Sequence, residues 1–301
     1  MKKTTTYLLL VLSVVFWGVS FIFTKQLFLT EEHMTVTLLI TLRLAIATAV
    51  MLPVMLLGGR LQPIQRRDMG WFLLLALCEP FIYHLCETSG VQLVSASLAS
   101  VIIATIPLFV PFGMWIAYRQ RIGLPLIAGV LMSLGGVALM LFSGDGGAEF
   151  SAAGLAFLAG AVVVAVVYTL LLVKIVGRYE PLVITTWQNL IGLAYFLPLA
   201  LLHDGSRLGA LSWSPQMLGL LLVLGICCST LAYAFYNRGV AALGASEACI
   251  FNNAIPIFSL IAAVALGQET FSWVKAVGMT IVIAGVAISQ NPSPRGGREK
   301  D

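Results

Sequence analysis

Apolar runs long enough to cross a bilayer recur along the whole chain, and they constrain its fold more than any other feature. A transmembrane helix needs about 20 apolar residues. Runs of that kind follow one another here with short polar connections between them, so no room is left for a soluble catalytic domain. The sequence therefore predicts an all-α membrane protein with ten transmembrane helices. The runs lie at 7–28, 34–57, 70–90, 94–118, 122–142, 152–175, 183–202, 216–237, 245–267 and 272–290.

The composition agrees with a chain that has little mass outside the bilayer. Hydrophobic residues make up 59% of the sequence and charged residues only 10%, whereas soluble domains carry about 25% charged residues. The net charge of +4 is scattered over segment ends, so nucleic acid is not an expected partner. The five cysteines lie inside apolar runs without zinc-like spacing, so neither a metal nor another cofactor is expected.

Lysine and arginine are distributed unevenly over the two sides of the predicted bundle. If the N-terminus is cytoplasmic, the cytoplasmic connections hold most of the 17 basic residues, and the outer ones hold only Lys25, Arg207 and Lys275. The positive-inside rule then predicts that both termini are cytoplasmic. Residues 291–301 are predicted to form a disordered cytoplasmic tail.

The chain also repeats itself at an offset of 149 residues, since GVQLVSASLASVIIATIPLF at 90–109 lies over GVAALGASEACIFNNAIPIF at 239–258. Each half, 1–150 and 151–290, then holds five spans. Five is odd, so the second half is predicted to be inverted in the membrane relative to the first. Two inverted five-helix repeats are typical of secondary transporters, although duplication can also build an inert scaffold or a channel.

Pro107 and Pro256 occupy matching places in the interiors of the fourth and ninth predicted spans. A proline inside a helix removes one hydrogen bond and frees a carbonyl, which a neighbouring helix or a cavity must satisfy. Small residues precede both prolines and allow close helix approach. A packed kink and a direct contact with a ligand are both open readings of these two positions.

Several of these segments resemble the EamA-type branch of the drug/metabolite transporter superfamily. They are FWGVSFIFTK (16–25), TLRLAIA (41–47) and the two copies of the 90–109 segment. The resemblance covers nearly the whole chain and implies two successive EamA-like repeats, a central cavity between the halves and alternating access. It also implies a multi-pass carrier of the bacterial inner membrane, mostly an exporter of amino acids, related metabolites or toxic compounds.

A few single residues match the pattern of that family. They are Trp17, Lys25, Arg43 and Glu269, while the first half has Gln120 at the position equivalent to Glu269. The family does not fix the substrate from such matches. It also supplies no role for the ionisable residues of the third span.

The third predicted span contains the stretch CEPFIYHLCETSG, which places Glu79, His84 and Glu87 inside the membrane. A charge at the centre of a bilayer costs about 2.5–3.5 kcal/mol even on lenient scales, so these groups must pair, be neutral or face water. Helical spacing puts Glu79, Tyr83 and Glu87 on one face, with His84 beside it.

Arg43 in the second span lies between Glu79 and Glu87 in depth, and we expect it to pair with one of them. The pair would either lock two helices together or leave a carboxylate free to exchange a proton during transport, with Glu79 the deeper candidate. His84 and Glu87 have no second histidine or cysteine pair nearby, so a metal site is not expected. The repeat gives Cys228, Tyr233 and Tyr236 in the places of Glu79, His84 and Glu87, so the charge belongs to one half only.

Further polar and aromatic groups fall at similar depth and suit a polar or zwitterionic solute, although each could instead hold helices together. They are Trp17, Tyr168, Gln188, Asn189, Tyr233, Asn252 and Asn253.

The function predicted from the sequence is a secondary active transporter, an exporter of small metabolites or amino acids, and not an enzyme. Its expected partners are a small-molecule substrate and the lipid bilayer; proton coupling and a homodimer stay open. Two alternatives also stay open, an intramembrane enzyme acting on a lipid-linked substrate and a passive channel. The sequence does not fix the substrate, the direction of transport, the coupling ion or the oligomeric state.

Overall fold

The computed structural model describes residues 3–119, 123–141, 151–172, 174–175, 177–243 and 251–289. Within these ranges the regular elements are helices, and they contain no β-strand. The predicted tail at 291–301 and the repeat position Gln120 lie outside the described residues. The helices are α1 Lys3–Thr30, α2 Val36–Leu57, α3 Met69–Ala76, α4 Tyr83–Leu93, α5 Ala96–Ile103, α6 Ile106–Tyr118, α7 Leu124–Leu141, α8 Ala152–Leu172, α9 Pro181–Ala210, α10 Pro215–Leu222, α11 Ala232–Leu243, α12 Ile255–Ala265 and α13 Trp273–Ser289.

Seven helical segments of this part of the chain are long and apolar enough to cross a membrane, and three shorter apolar helices accompany them. The outward side chains agree with a lipid surrounding, because large apolar groups such as Leu57 (89% exposed) and Leu202 (80% exposed) cover the helices. The predicted all-α membrane protein is therefore confirmed as a fold class. The count of ten spans in two inverted repeats stays a prediction.

Pro107 and Pro256, which lie in the interiors of the fourth and ninth predicted spans, stand in the first turn of a new helix. Helix α5 ends at Ile103, and Pro107 follows in the first turn of α6. Pro256 occupies the same place in α12, after a 3₁₀ turn at Phe251–Ala254. Proline is tolerated there because the amide groups of a first helical turn need no partner within the helix.

Two wide helical turns interrupt the helices nearest the middle of the molecule. A π-helical turn at Leu77–Ile82 joins α3 to α4, and another at Val223–Leu231 joins α10 to α11. At the offset of 149 residues, 77–82 falls on 226–231, so both halves carry a wide turn at the same place. Such turns are frequent at functional sites, because they shift side chains out of the regular helical register.

Polar contacts join the two halves at both ends of the segment that runs from Met69 to Leu93. At the end next to residues 58–68, Arg178 Nη1 lies 2.7 Å from Asp68 Oδ1, and the Tyr179 hydroxyl donates to Asp68 Oδ2 over 3.1 Å. Asp68 is only 1% exposed. We call this end the 58–68 face.

The other end, next to the turn between α4 and α5, is the 94–97 face. Glu269 Oε1 accepts a hydrogen bond from the Ser97 amide over 3.0 Å, and Glu269 Oε2 contacts the Ser97 hydroxyl. Lys275 Nζ lies 3.5 Å from the same carboxylate, and both charged side chains are nearly fully buried. The Lys25 ammonium group caps the end of α4 by donating to the carbonyls of Val91, Gln92 and Val94.

Candidate functional site

A polar cavity lies between helices of the two halves. Its first-half wall comes from α2, the turn at Leu77–Ile82 and α4, and its second-half wall comes from α8, α9 and the start of α11 with the preceding turn. Its empty volume, with the open solvent at its mouth included, is about 390 Å³. The lining residues are Leu44, Glu79, Pro80, His84, Tyr168, Thr185, Gln188, Asn189, Ser229 and Tyr233.

Glu79 enters this cavity because the helix is broken at its position. The backbone of Glu79 is extended (φ −140°, ψ 118°) and Pro80 follows it without an amide hydrogen, so the regular ladder of hydrogen bonds stops here. The freed carbonyl of Glu79 accepts a hydrogen bond from Gln188 Nε2 over 2.7 Å. Its carboxylate accepts one from the Tyr233 hydroxyl over 3.2 Å. Both partners belong to the second half, so the site is built across the two halves.

Helix α9 approaches the broken helix closely at a glycine. A Cβ atom at Gly192 would lie only 2.2 Å from Pro80 Cγ. Any larger residue would push the segment at Pro80 away from α9, and with it the contact between Glu79 and Gln188. On the far side of Gln188, the side-chain oxygen accepts from the Tyr168 hydroxyl over 3.2 Å, which fixes the orientation of the amide.

The wide turn changes which residues of the third span share a face. Regular helical spacing predicted Glu79, Tyr83 and Glu87 together, but the cavity is lined by Glu79 and His84, and neither Tyr83 nor Glu87 lines it. The π-helical turn and the extended backbone at Glu79 interrupt the regular register between residues 79 and 83, and the shared face of the three residues stays a prediction. Tyr83 instead packs against the His84 ring, with the ring centres 5.4 Å apart.

His84 and Glu87 form an electrostatic pair next to the cavity. His84 Nδ1 lies 3.5 Å from Glu87 Oε2, and both side chains are largely buried. The same nitrogen is buried without a hydrogen-bond partner in the described part of the chain, so this contact is not a formed hydrogen bond. The described residues contain no group of three or more histidine, cysteine or carboxylate side chains that could hold a metal ion.

Arg43 does not make the ion pair that the sequence led us to expect. Its Nε donates to the Ser229 hydroxyl over 2.6 Å, and the residue is 6% exposed. Among the residues that the structure describes, neither Glu79 nor Glu87 forms an ion pair with Arg43. Helix α2 packs closely against the turn at Val223–Leu231, where Gly225 has no side chain. A Cβ atom at Gly225 would lie only 2.5 Å from Ile46 Cγ2. This packing brings Arg43 to Ser229 of the second half.

Two of the aromatic candidates line the cavity, and the third packs against one of them. Tyr168 and Tyr233 line the cavity, while Trp17 packs behind Tyr233, with ring centres 5.2 Å apart, and also against Tyr236 at 5.2 Å. Trp17 therefore supports the tyrosine that contacts Glu79.

Asn252 and Asn253 lie in the 3₁₀ turn before α12 and do not line the cavity. Their side-chain oxygens are buried without a hydrogen-bond partner among the described residues. The two prolines likewise stand outside the cavity lining. The structure thus brings Glu79, His84, Tyr168 and Tyr233 together and leaves these four residues elsewhere.

Ser229 and Thr185 line the cavity and were not among the residues predicted from the sequence. Ser229 could have been found from the repeat, because the offset of 149 residues places it over Pro80, beside Glu79. Thr185 lies three residues before Gln188 in α9, so helical spacing places it on the same side of the helix as the polar pair Gln188 and Asn189 and could have identified it.

Comparisons with known proteins agree with the predicted resemblance. The family model described as the EamA-like transporter family matches residues 4–142 and again residues 152–290. An uncharacterized transporter of Archaeoglobus fulgidus is 27% identical over 291 residues, covering 96% of this chain and 98% of that protein. The uncharacterized transporter YetK of Bacillus subtilis is 24% identical over 269 residues, covering 87% and 80% of the two chains.

The fold has also been seen in a crystal structure. That chain is 20% identical in sequence and superposes with a TM-score of 0.65, covering 92% of this chain and 97% of the other. Identity at this level shows a shared fold and nothing about substrate. Because the family match extends over both halves of the sequence, the chain belongs to the EamA-like transporter family.

Proposed function

We propose that the protein is a secondary active transporter that exports a small metabolite or an amino acid by alternating access. The observation that carries this proposal is the polar cavity between the halves, in which Glu79 of one half is held through its carbonyl and its carboxylate by Gln188 and Tyr233 of the other. A site shared by two halves changes its exposure when the halves move against each other, and that movement is what a carrier needs.

Two five-helix repeats of opposite orientation, 1–150 and 151–290, account for the repeated features of this chain. The wide turns at Leu77–Ile82 and Val223–Leu231 support this arrangement, because they fall at matching positions of the two halves. The distribution of basic residues makes the 58–68 face the cytoplasmic one in the inner membrane. Helices α7 and α13 pack on each other, for example through the Ser133 hydroxyl and the Val282 carbonyl at 3.2 Å, and serve as the periphery of the bundle.

Alternating access requires that the contacts between the halves break at one face at a time. The Asp68 cluster with Arg178 and Tyr179 is the candidate closure at the 58–68 face. The Glu269 cluster with Ser97 and Lys275 is the candidate closure at the 94–97 face. Both clusters join residues of different halves, so each must open when the halves separate on its side.

Proton exchange at Glu79 is the proposed means of coupling. Glu79 lines the cavity, and no cation forms an ion pair with its carboxylate in the described part of the chain. Gain or loss of a proton at this one group therefore changes the charge of the cavity. Replacement by glutamine keeps the shape of the side chain and removes the exchangeable proton.

Transport by purified protein in liposomes tests the proposed function. Counterflow of labelled solutes, screened over amino acids, simple amines and carboxylic acids, is expected to be saturable for the wild-type protein. A carrier shows counterflow, a channel shows flux without it, and an enzyme returns a chemically altered compound. An imposed pH gradient should drive transport by the wild type and not by Glu79→Gln; equal coupling in both would exclude Glu79 as the proton site.

A further inference from the structure

Arg43 carries a buried charge that the described part of the chain leaves without a counter-ion. The residue is 6% exposed, and its Nε donates to the Ser229 hydroxyl over 2.6 Å. No other hydrogen bond and no ion pair of the guanidinium occurs among the described residues. A guanidinium has five N–H donors, and a charge at membrane depth is costly unless it is paired or faces water. Its two Nη groups are therefore open to an anion from outside the chain.

Arg43 itself does not line the cavity, but its partner Ser229 does, so the guanidinium lies directly behind a lining residue. The serine lines the cavity together with Glu79 and Tyr233, and Leu44, the neighbour of Arg43 in α2, lines it as well. The hydrogen bond to Nε holds one edge of the planar group, which limits the directions in which the two Nη groups can point. The close approach at Gly225, one helical turn before Ser229, keeps α2 against this part of the second half.

We propose that Arg43 is the anion-binding residue of the transport site and that it takes a carboxylate of the transported solute. This inference rests on the proposed transport function and deepens it. A carboxylate matches the paired N–H groups of a guanidinium in geometry and charge. Glu79 presents the opposite charge in the cavity that Ser229 lines, and the Tyr233 hydroxyl donates to one of its oxygens. A compact solute with a carboxylate and an ammonium group pairs with both residues.

Thermal unfolding of the purified full-length protein tests the anion site without any mutation. The probes are the 20 standard L-amino acids and a set of mono- and dicarboxylic acids, each added at saturating concentration. Every compound that raises the unfolding temperature is tested again as its carboxamide and as its decarboxylated amine. The inference predicts that stabilisation is lost with the carboxylate, because binding of ligand to the folded state is what raises the unfolding temperature.

Variants of Arg43 then test whether this residue causes the preference for the acid over its carboxamide. In Arg43→Gln the acid should stabilise no better than its carboxamide, whereas Arg43→Lys keeps the charge and should retain part of the preference for the acid. Ser229→Ala leaves the guanidinium in place and should weaken the preference by severalfold. If Arg43 only holds α2 against the second half, its replacement lowers the unfolding temperature and leaves the acid preference of the protein unchanged.

The outcomes separate this inference from the proposed function. Equal stabilisation by acid and carboxamide, an acid preference that survives in Arg43→Gln, or no stabilisation by any acid of the panel overturns the anion site. Counterflow of a simple amine that depends on Glu79 would then still support the transport function. Absence of counterflow for every labelled solute, acid or amine, contradicts the transport function itself.

Discussion

The wide turn of the first half and the wide turn of the second half have the same place in the repeat and different chemistry. In the first half the turn at Leu77–Ile82 carries Glu79 into the cavity. In the second half the matching position is Cys228, which is fully buried and donates from Sγ to the Phe16 carbonyl over 3.1 Å. A wide turn therefore forms in the second half without a carboxylate, whereas the first-half turn is in addition broken by the extended backbone at Glu79.

The residues that follow the two turns sharpen the same contrast. His84 in the first half corresponds to Tyr233 in the second, and both line the cavity. Tyr233 donates to Glu79, so a second-half residue holds the charged group of the first half. Duplication thus explains the paired positions around the cavity, and later divergence explains why only one side of it is charged.

Glu79→Gln should give the largest effect on transport. A hydrogen bond to a charged group contributes about 1.5–3 kcal/mol, so losing the charged partner in the cavity should slow counterflow about 10- to 100-fold. The unfolding temperature should change little, since the turn of the second half folds around an uncharged residue. Initial rates of counterflow, with the unfolding temperature measured on the same preparations, check both parts. If Glu79→Gln lost both its folded structure and its transport, the first-half turn would need its carboxylate in order to fold, unlike the second-half turn.

Gly192→Ala should damage the first-half turn through packing alone. The added Cβ atom would meet Pro80 Cγ at 2.2 Å, and overpacking of this kind costs about 1–3 kcal/mol. We expect a lower unfolding temperature and slower transport, because Pro80 moves together with Glu79. Gly219→Ala in α10 is the matched control, because a Cβ atom there meets nothing within 4 Å. Equal behaviour of the two variants would contradict the close approach of α9 to the broken helix.

Tyr233→Phe should have a smaller effect, because it removes one hydrogen bond to Glu79 and keeps the ring against Trp17. A single hydrogen bond contributes about 0.5–1.5 kcal/mol, so transport should weaken a few-fold. Tyr195→Phe is the control: that hydroxyl donates to the Leu73 carbonyl over 3.2 Å outside the cavity lining. The Michaelis constant for counterflow is measured for Tyr233→Phe and Tyr195→Phe. An equal change in the two variants would contradict a specific contribution of the hydrogen bond to Glu79.

Cys228→Ser should give the smallest effect of the series. Serine keeps a donor for the Phe16 carbonyl and changes the volume little, and swaps that conserve volume usually cost less than about 1.5 kcal/mol. Transport rates of Cys228→Ser and Glu79→Gln, measured side by side, compare the two matching positions directly. A strong loss in the serine variant would mean that the second-half turn also takes part in transport chemistry.

The sequence predicted the features that depend on composition and repetition. The helical fold class and the membrane character follow from the apolar runs. The offset of 149 residues identifies Cys228 as the repeat position that corresponds to Glu79. The wide turn at Glu79 was not predicted, because helical periodicity assumes one register, whereas Pro80 and the hydrogen bond from Gln188 to the Glu79 carbonyl permit a wider turn.

The partner of Arg43 could not be predicted for a different reason. Depth in the membrane made Glu79 and Glu87 equally suitable partners, but depth does not tell which side of a helix faces which neighbour. Packing of α2 at Gly225 decides that question and brings Ser229 to Arg43, a contact between residues far apart in the chain. Contacts between the halves depend on such local fits, and a repeat pattern read from one sequence does not contain them.

Counterflow in liposomes under an imposed pH gradient tests the central claim most directly, with wild type, Glu79→Gln and Cys228→Ser compared at equal protein density. The account predicts saturable counterflow that responds to the gradient in wild type and in Cys228→Ser, and strongly reduced transport without that response in Glu79→Gln. Transport by Glu79→Gln that equals the wild type in rate and in response to the gradient would contradict the account.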